Sequence, residues 1–502
     1  MVSFVFSYAT VGIDAVRIKV EVDSSRGLPG TVIVGLPDSA VKESRERVKS
    51  AIVNSGYPFP TKKIVVNLAP ADIKKEGTLY DLPIALGILS SSGIVNGDNL
   101  KNYLIAGELG LNGELHPVRG ILSAAILTKE EGFKGLILPH QNVEEALLIE
   151  GISIYPVKNL FEAVSFINGD LKITPPKRRE IQGNPSYDVD LSDVVGQYEA
   201  RRALEIAAAG KHNLLMVGPP GSGKTMLARR IPTILPPMTE GEIIESSRIY
   251  SVAGLIEEVP VLHRPFRAPH TSASDVSIIG GGRNIKPGEV SLAHNGVLFM
   301  DELPEFKRSV LEALRQPLED RIVTVSRASG SATFPADFLF VGALNPCPCG
   351  YYGFSDGKHY CNCSPSQIKR YRSKISGPIT DRIDLHVSVP AVKTEDLKTK
   401  KRGEPSERVR ERVIRAWEVQ KRRFKELPIN FNGQMGRREV RQFCKLTKAA
   451  EEILIKAVRA LGLSARSYDR ILKVSRTIAD LDQKGEIEPQ HIAEAVSFRS
   501  SH

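Results

Sequence analysis

The chain has 502 residues, 41% hydrophobic and 25% charged, with a formal net charge of +10 and a pI near 9.2. At about 150 residues per domain it is too long for one core, no apolar run reaches the ~20 residues of a membrane span, and the amino terminus has no basic leader or cleavage site. Those features argue against an integral membrane or secreted protein and predict a cytoplasmic one. The basic balance favours an anionic partner, most simply nucleic acid, although many basic proteins bind none.

In chain order, residues 1–170 mix β-rich runs (30–35, 63–67) with helix-like runs (39–53), which predicts an α/β module without a phosphate loop. Residues 171–190, carrying Pro175, Pro176 and Pro185, read as a linker. Strand and helix signals then alternate over 191–391, as in a parallel sheet covered on both faces. Residues 392–502 have helical periodicity, with Gly462 as a break and Pro489 in the first turn of a last helix, predicting a helical lid.

The α/β core opens with the most specific motif. Gly218, Pro219, Pro220, Gly221, Ser222, Gly223, Lys224 and Thr225 fit G-x4-G-K-[ST], between the apolar run 214–217 and a helix-compatible segment. Glycines let successive N–H groups approach phosphate oxygens, and the helix that follows adds its positive end. Lys224 is expected to reach the β and γ phosphates of ATP, and the Thr225 hydroxyl to ligate magnesium. Gln197, at the entry to the core, is a further nucleotide-contact candidate.

About seventy residues later an apolar run ends in Asp301 and Glu302, a Walker B pattern. Asp301 would help hold magnesium and Glu302 would polarise the attacking water. Another apolar run ends in Asn345, which fits a sensor near the γ phosphate. Arg382, between Asp381 and Asp384, is the arginine-finger candidate, acting on a neighbouring subunit; an ordinary salt bridge is the alternative. Arg466 is the lid residue expected to reach the phosphates, with Arg470 competing.

These residues resemble the AAA+ ATPases, within them the magnesium-chelatase-like branch, and most closely the ComM/YifB family. The resemblance spans essentially the whole chain and includes 34–38, 67–72, 264–270, 311–319, 345–350 and 371–377. It implies a homo-hexameric ring in which Arg382 faces the next subunit's nucleotide. It also implies an ATP-driven DNA translocase or helicase promoting branch migration as incoming DNA is integrated during natural transformation or recombination. In that branch the basic, glycine-rich stretch 264–286 corresponds to an insertion, and 322–335 reads as a hairpin. Arg267, Arg283 and Arg327 are the leading DNA-contact candidates, with subunit-interface charges as the alternative. The basic helix 408–425, with Trp417, reads as a solvated face.

Two C-x-C pairs, Cys347 with Cys349 and Cys361 with Cys363, are separated by eleven residues. Zinc is the first choice for four such thiolates, with an iron–sulfur cluster or four reduced thiols as alternatives, because a common zinc ribbon uses C-x2-C. Cys444 reads as a small packed residue.

Residues 1–170 resemble the Lon proteolytic domain, of ribosomal S5 domain 2-like fold, which uses a serine and a lysine. After Gly77 this chain has Thr78 and no serine, and Arg119 stands at the lysine position, so a proteolytically inactive scaffold is expected. The rival functions are an ATP-dependent protease, a magnesium-chelatase-like motor remodelling a protein partner, and a DNA scaffold using nucleotide only as a switch.

Overall fold

The first two strands form a long hairpin in the computed structural model, which describes residues 2–178, 187–282, 285–327, 330–354, 360–391 and 403–499. Strand β1 (Val2–Val11) pairs antiparallel with β2 (Asp14–Ser25), where Ile18, Val20 and Val22 bury one face at every second position. The sheet is completed by β3 (Gly30–Val34), β4 (Lys63–Ala69), β5 (Tyr103–Ile105), β6 (Gly135–Pro139) and β7 (Ile154–Val157), in the order β3-β4-β2-β1-β5-β6-β7. Helices α1 (Ser39–Asn54), α2 (Asp81–Ser91) and α3 (Ile121–Glu130) join these strands. Helix α2 is buried from Asp81 to Ser90, as an apolar sequence all round its circumference requires.

A second sheet is wholly parallel. Its strands are β8 (Leu214–Val217), β9 (Phe266–Arg267), β10 (Val297–Met300), β13 (Leu339–Leu344) and β14 (Leu385–Ser388), in the order β9-β10-β13-β8-β14. Strands β8, β10 and β13 are buried at every residue, which explains why they read as unbroken apolar runs. Between β10 and β13 the chain makes the antiparallel hairpin β11 (Ile322–Arg327) and β12 (Gly330–Pro335), where a hairpin was expected.

Helix α4 (Tyr198–Gly210) covers one face of this sheet, and the carboxyl-terminal helices pack onto it. Helix α8 (Ser406–Arg423) buries Val409, Val413, Ala416 and Gln420 along one stripe. Its Trp417 indole donates to Ala208 O at 2.9 Å and Gln420 to Ala209 O at 2.8 Å, so only part of this basic helix is a solvated face. Beyond it lie α9 (Lys448–Leu461), stopped by left-handed Gly462, then α10 (Ala465–Leu481) and α11 (Pro489–Ser497). Among the described residues no helix is long and apolar enough to cross a membrane.

The amino-terminal sheet is wedged into the second unit by its first turn. A Cβ on Gly12 (φ +65°) would lie 2.9 Å from the Thr333 carbonyl oxygen on β12, and Ile13 packs against two apolar clusters of the parallel-sheet unit. From helix α6 (Glu240–Ala253), Arg248 pairs with Asp14 and donates to Ile13 O at 3.1 Å, while the Ser251 hydroxyl meets the buried Glu145 carboxylate. Burial pushes the Glu145 carboxyl above its ordinary value, against the hydrogen bonds from Ser251, Leu122 and Asn142.

Candidate nucleotide site

The turn after β8 packs tightly against the end of β14. A Cβ on Gly218 would lie 2.1 Å from Val389 O, so no other residue fits this crossing, and Gly221 and Gly223 have positive φ. The short helix α5 (Lys224–Ala228) starts immediately after Gly223. Lys224 is buried, and its ammonium donates to Gly218 O (2.7 Å), Pro219 O (2.9 Å), Ser222 Oγ (3.4 Å) and Asn345 Oδ1 (3.3 Å). Burial holds its pKa below the usual lysine value, opposed by Asp301 and Glu302.

The sheet order brings the remaining groups to the same end. Because β13 lies between β8 and β10, Asn345 emerges between the phosphate loop and the acidic pair. Thr225 Oγ1 donates to Asp301 Oδ2 at 2.6 Å, and the other Asp301 oxygen accepts from Glu302 N at 2.9 Å. Glu302 holds a left-handed backbone (φ 51°), uncommon for a side-chain-bearing residue, which turns its exposed carboxylate out of the strand line. Gln197, also left-handed, donates to Pro390 O at 2.6 Å and Ser222 O at 3.4 Å, tying the end of the sheet to the phosphate loop. Its Oε1 is buried without a partner among the described residues.

Arg382 stands at the opposite edge of the sheet. Its carbonyl accepts from Asn213 Nδ2 at 2.9 Å, and Asn213 immediately precedes β8. A four-residue strand spans about 13 Å, so Arg382 lies a full strand length from its own phosphate loop. Its guanidinium touches Glu319 and donates to Pro378 O at 2.8 Å, while its Nε is buried without a partner among the described residues. The lid arginines share this edge: Arg466 is 3.6 Å from Asp381, and Arg470 is 3.2 Å from Asp384. The structure therefore does not bring Arg466 to the phosphate loop of its own chain, because α10 packs on α4 with its first turn toward the amino edge of the sheet. Burial works against ionising Asp384, yet its hydrogen bond to His212 and the charge of Arg470 hold its carboxyl well below the usual range. Together Arg382, Arg466, Arg470, Lys211, Arg321 and Lys473 line a cavity of ≈ 370 Å³.

The two described arginines among those expected to meet DNA have different surroundings. Arg267, in β9, makes a two-pronged pair with Glu289 at 2.6 and 2.9 Å. Arg327 is exposed at the end of β11, beside Gly281, and Arg283 lies outside the described residues. In the amino-terminal unit the Thr78 hydroxyl meets the Glu108 carboxylate, Lys75 turns its ammonium to the Pro70 carbonyl, and the Arg119 guanidinium sits against Gly254 at the end of α6.

The four expected metal ligands do come together: the Sγ atoms of Cys347, Cys349, Cys361 and Cys363 all lie within 4.8 Å of one another. Motif reading did not single out Arg370, Tyr371 and Lys374, which line a cavity with Glu302 and Asn345. Tyr371 and Lys374 fall in a segment noted only for its family resemblance.

A five-stranded parallel sheet with a phosphate loop, an adjacent acidic strand and a polar strand end between them defines an AAA+ P-loop ATPase. Comparison with known proteins narrows the class. Models of the magnesium chelatase subunit ChlI match residues 190–397, of subunit ChlI of Mg-chelatase residues 20–142, and of the ChlI carboxyl-terminal region residues 403–499. The chain is 45% identical to competence protein ComM of Haemophilus influenzae and 46% identical to the uncharacterized protein YifB of Escherichia coli, each over 99% of this chain and 97% of the relative. Likeness to the magnesium-chelatase 67 kDa subunit of Chlorobaculum tepidum, 28% identical, covers 32% of this chain and 23% of that protein. The chain belongs to the ComM/YifB family of magnesium-chelatase-like AAA+ proteins.

Proposed function

We propose that this chain is an ATP-driven DNA motor that assembles as a homo-hexamer in the cytoplasm and promotes branch migration and integration of DNA during natural transformation or recombination. The observation carrying this reading is the separation of Arg382 from its own phosphate loop by the length of β8, together with an Arg382 Nε that has no partner among the described residues. A second copy docked on that edge supplies the missing phosphate, so hydrolysis belongs to the interface between copies. Arg466 and Arg470 stand on the same edge and serve the same neighbour's nucleotide.

Within one chain, the phosphate-loop amides and Lys224 bind the triphosphate, and Gln197 fixes the loop against the sheet. Thr225 and Asp301, a hydroxyl and a carboxylate already 2.6 Å apart, are the hard oxygen donors suited to magnesium, which when bound neutralises charge developing on the phosphates. Glu302 takes the proton of the attacking water, and Asn345 orients that water beside Lys224. The relative named a competence protein, the +10 charge and the exposed Arg327 at the β11–β12 hairpin support DNA as the partner. The amino-terminal unit is a scaffold: neither the carboxylate-bound Thr78 hydroxyl nor the always-charged Arg119 supplies a nucleophile–base pair.

The deciding experiment measures ATP hydrolysis with no DNA, with single-stranded DNA and with a four-way junction, at two salt concentrations. Stimulation that fades with salt supports the motor. Hydrolysis indifferent to every DNA transfers the assignment to a chelatase-like remodeller of a protein partner.

A further inference from the structure

Two groups without a role in that mechanism lie side by side. The first is the cysteine quartet, whose thiols are all free. Cys347 Sγ is 3.3 Å from Cys349 Sγ and 3.7 Å from Cys361 Sγ, and a tetrahedral zinc site with Zn–S bonds of about 2.3 Å requires sulfurs about 3.8 Å apart. Tyr352 N also donates to Cys347 Sγ at 3.3 Å, an outer bond that stabilises a thiolate. This knuckle packs directly on the phosphate loop, since a Cβ on Gly350 would lie 2.6 Å from Pro220 Cδ.

The second group belongs to helix α7 (Pro365–Arg372), capped by Ser364, the residue after Cys363. The helix buries only Ile368 and Tyr371, so little apolar packing fixes its position. It is held instead through the knuckle, where Arg372 stacks on Tyr352 at 5.5 Å and donates to Pro346 O at 3.4 Å. Its other face, with the turn that follows, looks into a cavity of ≈ 460 Å³ shared with Glu302 and Asn345. Lys374 on that wall is paired with Glu305 at 3.1 Å, whereas the exposed Arg370 has no acidic partner among the described residues.

We propose that the four cysteines bind one thiolate-preferring divalent cation of the zinc class, and that this ion holds α7 so that Arg370 contacts the terminal phosphate from the side of Glu302. The ion does no chemistry; it fixes a phosphate-contacting arginine within the same chain, distinct from Arg382 across the interface. Deleting half of the knuckle releases the amino end of α7, while deleting the guanidinium removes the contact itself. Both changes should slow the same step.

This inference rests on the ATPase reading, so the test separates the two. Full-length protein purified without chelator is assayed for metal by mass spectrometry, for binding of a fluorescent ATP analogue, and for hydrolysis with and without a four-way DNA junction. The expected result is one zinc per chain, lost in Cys361→Ser/Cys363→Ser. That variant and Arg370→Gln each lower kcat about tenfold or more with analogue affinity kept within about twofold, and their combination is no slower than the slower of the two. Fully active protein carrying less than about 0.1 zinc per chain overturns the metal site. Wild-type kcat in Arg370→Gln, an exposed position whose replacement leaves the core untouched, overturns the phosphate contact. Absence of hydrolysis in every form, wild type included, overturns the ATPase reading, while the zinc stoichiometry still decides the site.

Discussion

Asn213 holds the carbonyl of Arg382 at 2.9 Å, one residue before the strand that runs into the phosphate loop. The phosphate-binding turn and Arg382 thus stand at the two ends of the single strand β8, with no loop between Asn213 and that strand.

Arg382→Ala is expected to lower kcat by about 10³ while leaving ATP binding to each chain intact. Mixing it with Lys224→Ala should restore hydrolysis at those interfaces that pair an intact phosphate loop with an intact finger. ATPase activity of the mixture, measured against either variant alone, checks this, and Arg466→Ala should complement Lys224→Ala in the same way. A mixture no faster than its components would place both arginines outside the shared site.

Glu302→Gln keeps the shape of the acidic strand end but removes the proton acceptor, so hydrolysis should fall by about 10²–10⁴ with ATP retained. Filtration with labelled ATP and analysis of the bound nucleotide distinguish trapped ATP from ADP. Rapid turnover by this variant would end the assignment of Glu302 as the base.

The two described arginines of the basic region should separate. Arg327→Ala should weaken DNA binding uniformly across sequences and reduce the slope of log K against log salt by about 1, leaving DNA-free hydrolysis unchanged. Arg267→Ala breaks a partly buried two-pronged pair with Glu289, so its main effect should be on stability, about 1.5–3 kcal/mol. Melting curves and salt titrations of both variants test the contrast.

Burial pushes the Asp81 carboxyl up to about 6, against the pair it makes with Arg47 and a backbone bond from Leu109. Its unfolded value is about 3.9, so the folded state binds more protons across that window. Asp81 therefore contributes a loss of stability as pH rises from about 4 to about 6, and little further change above it. Thermal unfolding of the wild type and Asp81→Asn across pH 4–7 should show this slope removed in the variant.

Contiguous motifs were legible from residues alone. The 218–225 turn, the Asp301–Glu302 strand end and Asn345 each follow an apolar run, and the parallel sheet delivers such ends to one edge. The strand order was not legible, because the insertion of β13 between β8 and β10 is a long-range pairing with no local signature. For the same reason the sequence does not tell which chain's phosphates Arg466 faces: its helix has clear periodicity, but the edge it faces is set by packing on α4. Arg267 looked available because Glu289 lies 22 residues away in sequence. Arg370 carries no motif; only the packing of α7 along the Glu302 cavity marks it.

The turn at Gly12 and Ile13 also gives the amino-terminal module a structural task in the second unit. Its tip is a plug in the motor's apolar interior, fastened by Arg248 to Asp14 and by Ser251 to Glu145. A motor cut free of residues 1–170 would carry an open greasy socket and an orphaned Arg248, and should clump or melt early. The amino-terminal module is therefore a keystone: the parallel-sheet unit depends on its shape, whatever chemistry the module itself performs.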